Sequence, residues 1–118
     1  MCGIVGILNS SSLKNNSIDI LKKLEYRGYD SAGISLFSKE RIKTIKSVGK
    51  ISELKNKAQN VSDKNFYGVI GHTRWATHGV VSKNNAHPFA NDDLTLVCNG
   101  IIENYRKIQN RLSLIHIS

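Results

Sequence analysis

A cysteine at the second position is the feature of this sequence that most directly indicates chemistry. If Met1 is removed, Cys2 becomes the first residue and carries both a thiol and a free α-amine. The thiolate is the nucleophilic form of cysteine, and an amine that titrates near ~8 can accept the thiol proton, directly or through a water. The position therefore suggests a nucleophile with its own base. The plainer alternative is that Cys2 is a small strand residue beside a retained Met1.

Two later runs combine residue types that are unusual together: Gly-His-Thr-Arg-Trp-Ala-Thr-His-Gly at 71–79 and Asn-Gly-Ile-Ile-Glu-Asn-Tyr at 99–105. Asn-Gly between apolar runs often marks a hairpin. Here the apolar residues after it recur every three to four positions, which favours a junction between a strand and a helix.

Histidines at 72, 78 and 87 and the second cysteine, Cys98, do not have the spacing of a compact metal site. We therefore expect no metal and no cofactor. A disulfide between Cys2 and Cys98 is also not expected, because a chain without a secretory signal keeps its thiols reduced.

The bulk composition fits one globular domain. The chain has 118 residues, of which 40% are hydrophobic, and it lacks an apolar run of the ~18 residues that a membrane span needs. Its start does not resemble a secretory signal, so we expect a cytoplasmic location and no membrane partner. The net charge of +8 raises the possibility of a nucleic-acid partner, but the lysines are dispersed along the chain, which favours solvated faces.

The elements expected to position these residues alternate between strands and helices. The apolar run 3–8 predicts a strand buried on both faces, and Ser17 is expected to cap a helix that ends near Gly28. Residues 32–37 predict a half-buried strand that pairs with 41–48. A short helix is predicted at 51–58, strands at 66–71 and 94–98, and an irregular loop up to 91. A final helix is predicted after Gly100, with Ile101, Tyr105, Ile108 and Leu112 on one face. The order indicates an α+β fold.

Four runs together resemble the glutamine amidotransferase domain of the glucosamine-6-phosphate synthase family. They are Cys-Gly-Ile-Val-Gly at 2–6, Tyr-Arg-Gly-Tyr-Asp-Ser-Ala-Gly at 26–33, Arg-Trp-Ala-Thr-His-Gly at 74–79 and Asn-Gly-Ile-Ile-Glu-Asn at 99–104. The resemblance implies an N-terminal-nucleophile hydrolase fold, with stacked β-sheets between helical layers. It covers residues 1–112, a partial type-2 amidotransferase domain, whereas residues 113–118 do not resemble the family and are set apart as a non-native-looking tail.

The resemblance also implies a role for each matching residue. Cys2 would attack the side-chain amide of L-glutamine, and Asn99 and Gly100 would stabilise the oxyanion through a side-chain amide and a backbone N–H. Arg74 would bind the substrate carboxylate. Trp75, Thr77 and His78 would belong to the loop that closes over glutamine. The run at 27–31 is expected to support the nucleophile.

In this family the ammonia passes to a second domain that converts fructose 6-phosphate to glucosamine 6-phosphate, and the full-length protein is a homodimer. The family continues beyond the final helix to an aspartate that binds the substrate amine, so we expect the chain as given to be inactive. Cys98 stands where relatives often have histidine. Two alternatives stay open: the glutaminase domain of another amidotransferase, such as an amidophosphoribosyltransferase or asparagine synthetase, and a basic nucleic-acid-binding module.

Overall fold

The computed structural model describes residues 2–75, 80–100 and 102–117, with side chains through Ser113. Its main element is a four-stranded antiparallel sheet in the order β1-β4-β2-β3. The strands are β1 (Gly3–Leu8), β2 (Ser31–Phe37), β3 (Ile42–Val48) and β4 (Gly68–Arg74). The nucleophile candidate therefore immediately precedes an edge strand, whose partner, β4, ends at Arg74.

Two helices, α1 (Leu13–Lys23) and α2 (Ile51–Ala58), pack on one face of this sheet. Alternation along the strands places every second side chain on the helical side, so that Val5, Gly71 and Ile34 lie in one row across three strands. Gly71 leaves room for this packing, because an added Cβ would lie 2.8 Å from Val5 and 3.1 Å from Leu21. The buried apolar core consists of Val5, Leu13, Ile18, Leu21, Ala32, Ile34, Leu36, Ile45, Ile51, Leu54, Ala58 and Val69.

The other face of the sheet is covered in part by the segment 80–100, which contains a two-stranded sheet of β5 (Phe89–Ala90) and β6 (Thr95–Leu96). Two of the contacts that hold this segment on the main sheet lie away from the predicted site. The Thr95 hydroxyl donates to Ser35 Oγ over 2.9 Å, and the Lys46 ammonium donates to the Ala86 carbonyl over 2.8 Å. Residues near 87 and 99 are thereby held over the strands that carry the predicted site.

The α+β class is confirmed, as are the β2–β3 hairpin and the bounds of β1 and α2. Three details were wrong. Helix α1 begins at Leu13, and Ser17 lies buried within it, where its hydroxyl donates to the Lys14 carbonyl. Strand β1 is buried on one face only, since Ile4 and Leu8 are exposed, whereas β2 is buried on both.

The segment after β4 also differs from the prediction. The expected strand at 94–98 shortens to the two residues of β6, and the final helix, α3 (Tyr105–Ile117), begins five residues after Gly100. Of the four residues predicted for the apolar face of this helix, Ile101 lies outside the described residues. The other three are each at least 41% exposed: Tyr105, Ile108 and Leu112. The apolar stripe thus forms a helix but meets no core in the described part of the chain.

Candidate active site

The side chain of Cys2 lies against the backbone where β4 ends. The register of β1 and β4 pairs Gly3 with Thr73, which brings the preceding residue of one strand beside the end of the other. The Trp75 N–H donates to Cys2 Sγ over 3.4 Å, and Sγ lies 3.8 Å from the Trp75 carbonyl oxygen. The Thr73 hydroxyl accepts the Gly3 N–H over 3.2 Å, so the backbone beside the thiol is fastened as well.

Asn99 lies directly beside Cys2, as the predicted oxyanion site requires. Its side-chain Nδ2 donates to the Cys2 carbonyl over 3.0 Å, and its Oδ1 lies 3.0 Å from His72 Nε2. A carboxamide has two N–H donors. One is bound to the Cys2 carbonyl, and this contact does not use the other.

Gly100 follows in the loop. Among the described residues, a Cβ added there would meet one atom within 4 Å, the Cys98 sulfur at 3.9 Å. A glycine without such crowding allows a ligand to approach the backbone closely. This geometry is compatible with the predicted role of the Gly100 N–H as an oxyanion donor.

Arg74, at the end of β4, is 8% exposed and is fixed from two sides. Its Nη1 donates to the Val80 carbonyl over 3.1 Å, and its own carbonyl accepts the Asp30 N–H over 3.1 Å. Alternation along β4 places Arg74 on the same face as His72. The guanidinium is therefore a buried cation at the end of the sheet, two residues from the histidine that contacts Asn99.

Trp75 is half-exposed and packs edge-to-face on Tyr29, with ring centroids 6.1 Å apart. Gly28 makes this possible, because an added Cβ would lie 2.8 Å from both the Cβ and the backbone nitrogen of Trp75. The run at 27–31 thus contacts the chain at 74–75, next to the thiol. Thr77 and His78, the other predicted pocket residues, lie outside the described residues.

Two histidines at the site were absent from the predicted set. His72 is fully buried, and its ring stacks on His87 with centroids 4.1 Å apart and an interplanar angle of 20°. Burial lowers the pKa of His72, although its contacts with Asn99 and Cys98 oppose this. Burial is the main cause that lowers the pKa of His87 to about 4, and the nearby His72, Arg74 and Lys46 lower this pKa further by smaller amounts. Both rings are therefore neutral at physiological pH.

The position of His87 depends on a glycine in β2. A Cβ at Gly33 would collide with the His87 carbonyl oxygen, so the backbone of the covering segment rests directly on this strand. His87 Nδ1 accepts the Cys98 N–H over 3.4 Å, which ties the ring to the residue before Asn99. The alternation of β4 could have indicated that His72 and Arg74 share a face. The sequence carries no comparable signal for His87.

The described residues contain no group of three or more histidine, cysteine, aspartate or glutamate side chains placed to hold a metal ion. Cys2 and Cys98 are free thiols. In the described ranges no helix has the length and apolar character needed to cross a bilayer. The chemistry available is that of a thiol, a carboxamide donor beside it and a buried guanidinium at the end of the same strand pair. This set suits attack on a carbonyl or amide carbon of a carboxylate-bearing substrate.

Comparison with known proteins gives one consistent result. The chain is 48% identical to glutamine–fructose-6-phosphate aminotransferase (isomerizing) of Helicobacter pylori over 112 residues, and 50% identical to that of Francisella tularensis over 115. Each match covers 95% of this chain, which spans about a fifth of the relatives' length (19% and 18%). No protein-family model matches the chain.

A solved structure shows the same fold. Glutamine phosphoribosylpyrophosphate amidotransferase from Bacillus subtilis, complexed with ADP and GMP, aligns with a TM-score of 0.63 and 27% identity. The alignment covers 95% of this chain and 24% of that one. The expected amidotransferase fold is thereby confirmed.

Proposed function

The chain belongs to the glutamine amidotransferases, and we propose that it is the glutaminase part of a glutamine–fructose-6-phosphate aminotransferase. Its function there would be to hydrolyse L-glutamine to glutamate and ammonia, which a second domain uses to convert fructose 6-phosphate to glucosamine 6-phosphate. The observation that supports the proposal most is the hydrogen bond from Asn99 Nδ2 to the Cys2 carbonyl, because it brings a side-chain amide, the proposed oxyanion donor, beside Cys2.

The proposed reaction begins at the sulfur. Once Met1 is removed, the α-amine of Cys2 accepts the thiol proton, and Sγ attacks the side-chain amide carbon of glutamine. The carbonyl π-electrons move to oxygen, and the resulting oxyanion accepts N–H bonds from Asn99 and Gly100. Each such donor typically contributes ~3 kcal/mol to lowering the barrier. The C–N bond then breaks, the nitrogen takes up the proton and leaves as ammonia, and water hydrolyses the thioester to glutamate.

Arg74 is proposed to bind the α-carboxylate of glutamine. A guanidinium can form two parallel hydrogen bonds with a carboxylate, which fixes the orientation of the substrate as well as its position. Burial of Arg74 at the end of β4 supports this role, since a cation away from water attracts an anion strongly. Trp75, Thr77 and His78 are proposed to form the part of the pocket that closes over the substrate.

The direct test is an assay of the gene's full-length product. With glutamine alone it should release glutamate and ammonia, and with added fructose 6-phosphate it should form glucosamine 6-phosphate. A Cys2→Ala variant should lose both activities with glutamine as donor. Glutamate release without any amino sugar would retain the glutaminase proposal but exclude this acceptor.

The main alternative acceptor is a phosphoribosyl group, because the structural neighbour is a phosphoribosylpyrophosphate amidotransferase. The sequence favours the hexosamine reaction, since identity to the fructose-6-phosphate enzymes is 44–50% against 27% for that neighbour. Incubation of the full-length product with glutamine and either acceptor separates the two. A nucleic-acid-binding role has the net charge of +8 as its only support.

We further propose a domain at residues 1–112 with 113–118 apart from it, a cytoplasmic location and a homodimeric full-length protein. These follow from the family resemblance, and light scattering on the full-length product tests the dimer. The isolated 118-residue chain is expected to turn over glutamine poorly, because Ile4 and Leu8 of β1 and the apolar residues of α3 are exposed. Turnover equal to that of the full-length product would contradict this expectation.

A further inference from the structure

We propose that His72 is a positioning residue that holds the Asn99 carboxamide with its N–H groups facing Cys2. The proposal rests on the proposed glutaminase function and deepens it. It assigns a function to a fully buried histidine that the proposed reaction does not otherwise use.

The partners of Asn99 determine which way its amide points. The Cys2 carbonyl can only accept hydrogen bonds, so the amide atom 3.0 Å from it is the donor, Nδ2. Oδ1 then faces His72 Nε2, also at 3.0 Å. Since Oδ1 can only accept, the imidazole must carry its proton on Nε2 and donate it.

The imidazole is itself well fixed. His72 lies on β4, in the interior of the sheet, and pairs with Ile4 of β1 and Gly33 of β2. Its side chain is 0% exposed and is covered by the His87 ring at 4.1 Å. The His72 imidazole is held on a central strand beneath the His87 ring. It can therefore fix the orientation of the Asn99 side chain, which lies on a loop.

The reverse orientation of the amide would place Oδ1 against the Cys2 carbonyl and beside the developing oxyanion. Both contacts would be repulsive, and the oxyanion would lose a donor. Because the oxyanion exists only in the transition state, removal of the His72 donor should lower kcat and leave KM nearly unchanged. A purely structural role would instead lower stability without this separation of kcat and KM.

The test compares variants of the full-length gene product in glutamine hydrolysis. His72→Leu removes the donor and should lower kcat by up to about 100-fold, the scale of a misplaced catalytic group. His72→Gln can offer an N–H close to the position of Nε2 and should recover most of this loss. Ser17→Ala is the control, since it removes a side-chain hydrogen bond from a buried serine to the Lys14 carbonyl within α1, on the other face of the sheet, and should leave kcat unchanged.

A double-mutant cycle decides whether His72 acts through Asn99. In an Asn99→Ala background, the further change His72→Leu should leave kcat the same within about twofold. Additive losses, equal damage in His72→Leu and His72→Gln, or full activity of His72→Leu would each overturn the positioning role. An unmodified full-length protein that cannot hydrolyse glutamine would instead overturn the proposed function, and the inference with it.

Discussion

Asn99 Nδ2 donates a hydrogen bond to the carbonyl oxygen of Cys2 over 3.0 Å, although 97 positions separate the two residues. Antiparallel pairing of β1 with β4 brings Cys2 to one end of the sheet, and the segment 80–100 folds back over the sheet to bring Asn99 there. Neither residue reaches the other without both features.

Replacement of Asn99 by alanine should mainly affect the chemical step. Loss of one oxyanion donor typically lowers kcat by ~10²–10³-fold, and KM for glutamine should change little because the ground-state carbonyl is bound weakly by this group. Steady-state glutamate release by the full-length product measures both. Asn84→Ala, at an exposed asparagine of the same segment, is the matched control. A kcat for Asn99→Ala within about threefold of the unmodified protein would exclude the oxyanion role.

Replacement of Arg74 by lysine should weaken substrate binding. The charge is retained, but the planar fork that binds a carboxylate with two parallel bonds is lost, so KM for glutamine should rise roughly tenfold or more. Arg41→Lys, at an exposed arginine that packs over the Phe66 ring, is the control and should leave KM unchanged. If Arg74→Lys binds glutamine normally, another group must hold the α-carboxylate.

Two glycines on the same face of the sheet should differ in how strongly their replacement by alanine destabilises the fold. At Gly33 the new Cβ would collide with the His87 carbonyl, so the covering segment must shift, at a cost of ~1–3 kcal/mol in the free energy of unfolding. At Gly6 an added Cβ has no atom within 4 Å among the described residues, and the change should stay within about 0.5 kcal/mol. Urea unfolding of both variants measures the difference, and equal effects would mean that the segment does not rest on Gly33.

The stability of the domain should fall as the pH falls from about 6.5 towards 4. The ordinary pKa of histidine is 6.5, whereas the pKa of folded His87 is about 4, so in this interval the unfolded chain binds more protons than the folded one. Protonation therefore favours unfolding. The pKa of His72 is lowered as well and contributes with the same sign.

The variant His87→Gln should weaken this dependence. Glutamine retains an acceptor for the Cys98 N–H but does not titrate, so the decline between pH 6.5 and 4 should become shallower, with the part due to His72 retained. Chemical unfolding of both proteins at several pH values measures the slopes. Identical slopes would show that His87 is not held in its neutral form by the fold.

The local elements could be predicted because their apolar periodicity is strong. The alternation of β2 and β3 around the turn at residues 38–41 gave the correct hairpin, and Ile51, Leu54 and Ala58 gave the correct helix. The start of α1 was missed because the polar run at 9–16 hides four residues of helix. Hydrophobic periodicity indicates which face of a helix is apolar, but it does not indicate where a helix begins when its first turn is mostly polar.

The site could be predicted in its composition but not in its arrangement. The motifs indicated Cys2, Arg74 and Asn99, and the structure brings Cys2 and Asn99 into contact. The contacts of His72 and His87 depend on how the irregular segment 80–100 lies over the sheet, and no periodic pattern specifies that path. The sequence analysis considered both histidines only as candidate metal ligands and rejected that role, whereas the structure stacks their rings beside Asn99.

The most direct test of the central claim is mass spectrometry of the full-length product after treatment with an electrophilic glutamine analogue. We predict that Met1 is absent, that a single label is attached to Cys2, and that excess glutamine protects against labelling. The Cys2→Ala variant should remain unlabelled although Cys98 is exposed and free. A label on Cys98, or a retained Met1 in an active enzyme, would contradict the account of Cys2 as a nucleophile that uses its own α-amine.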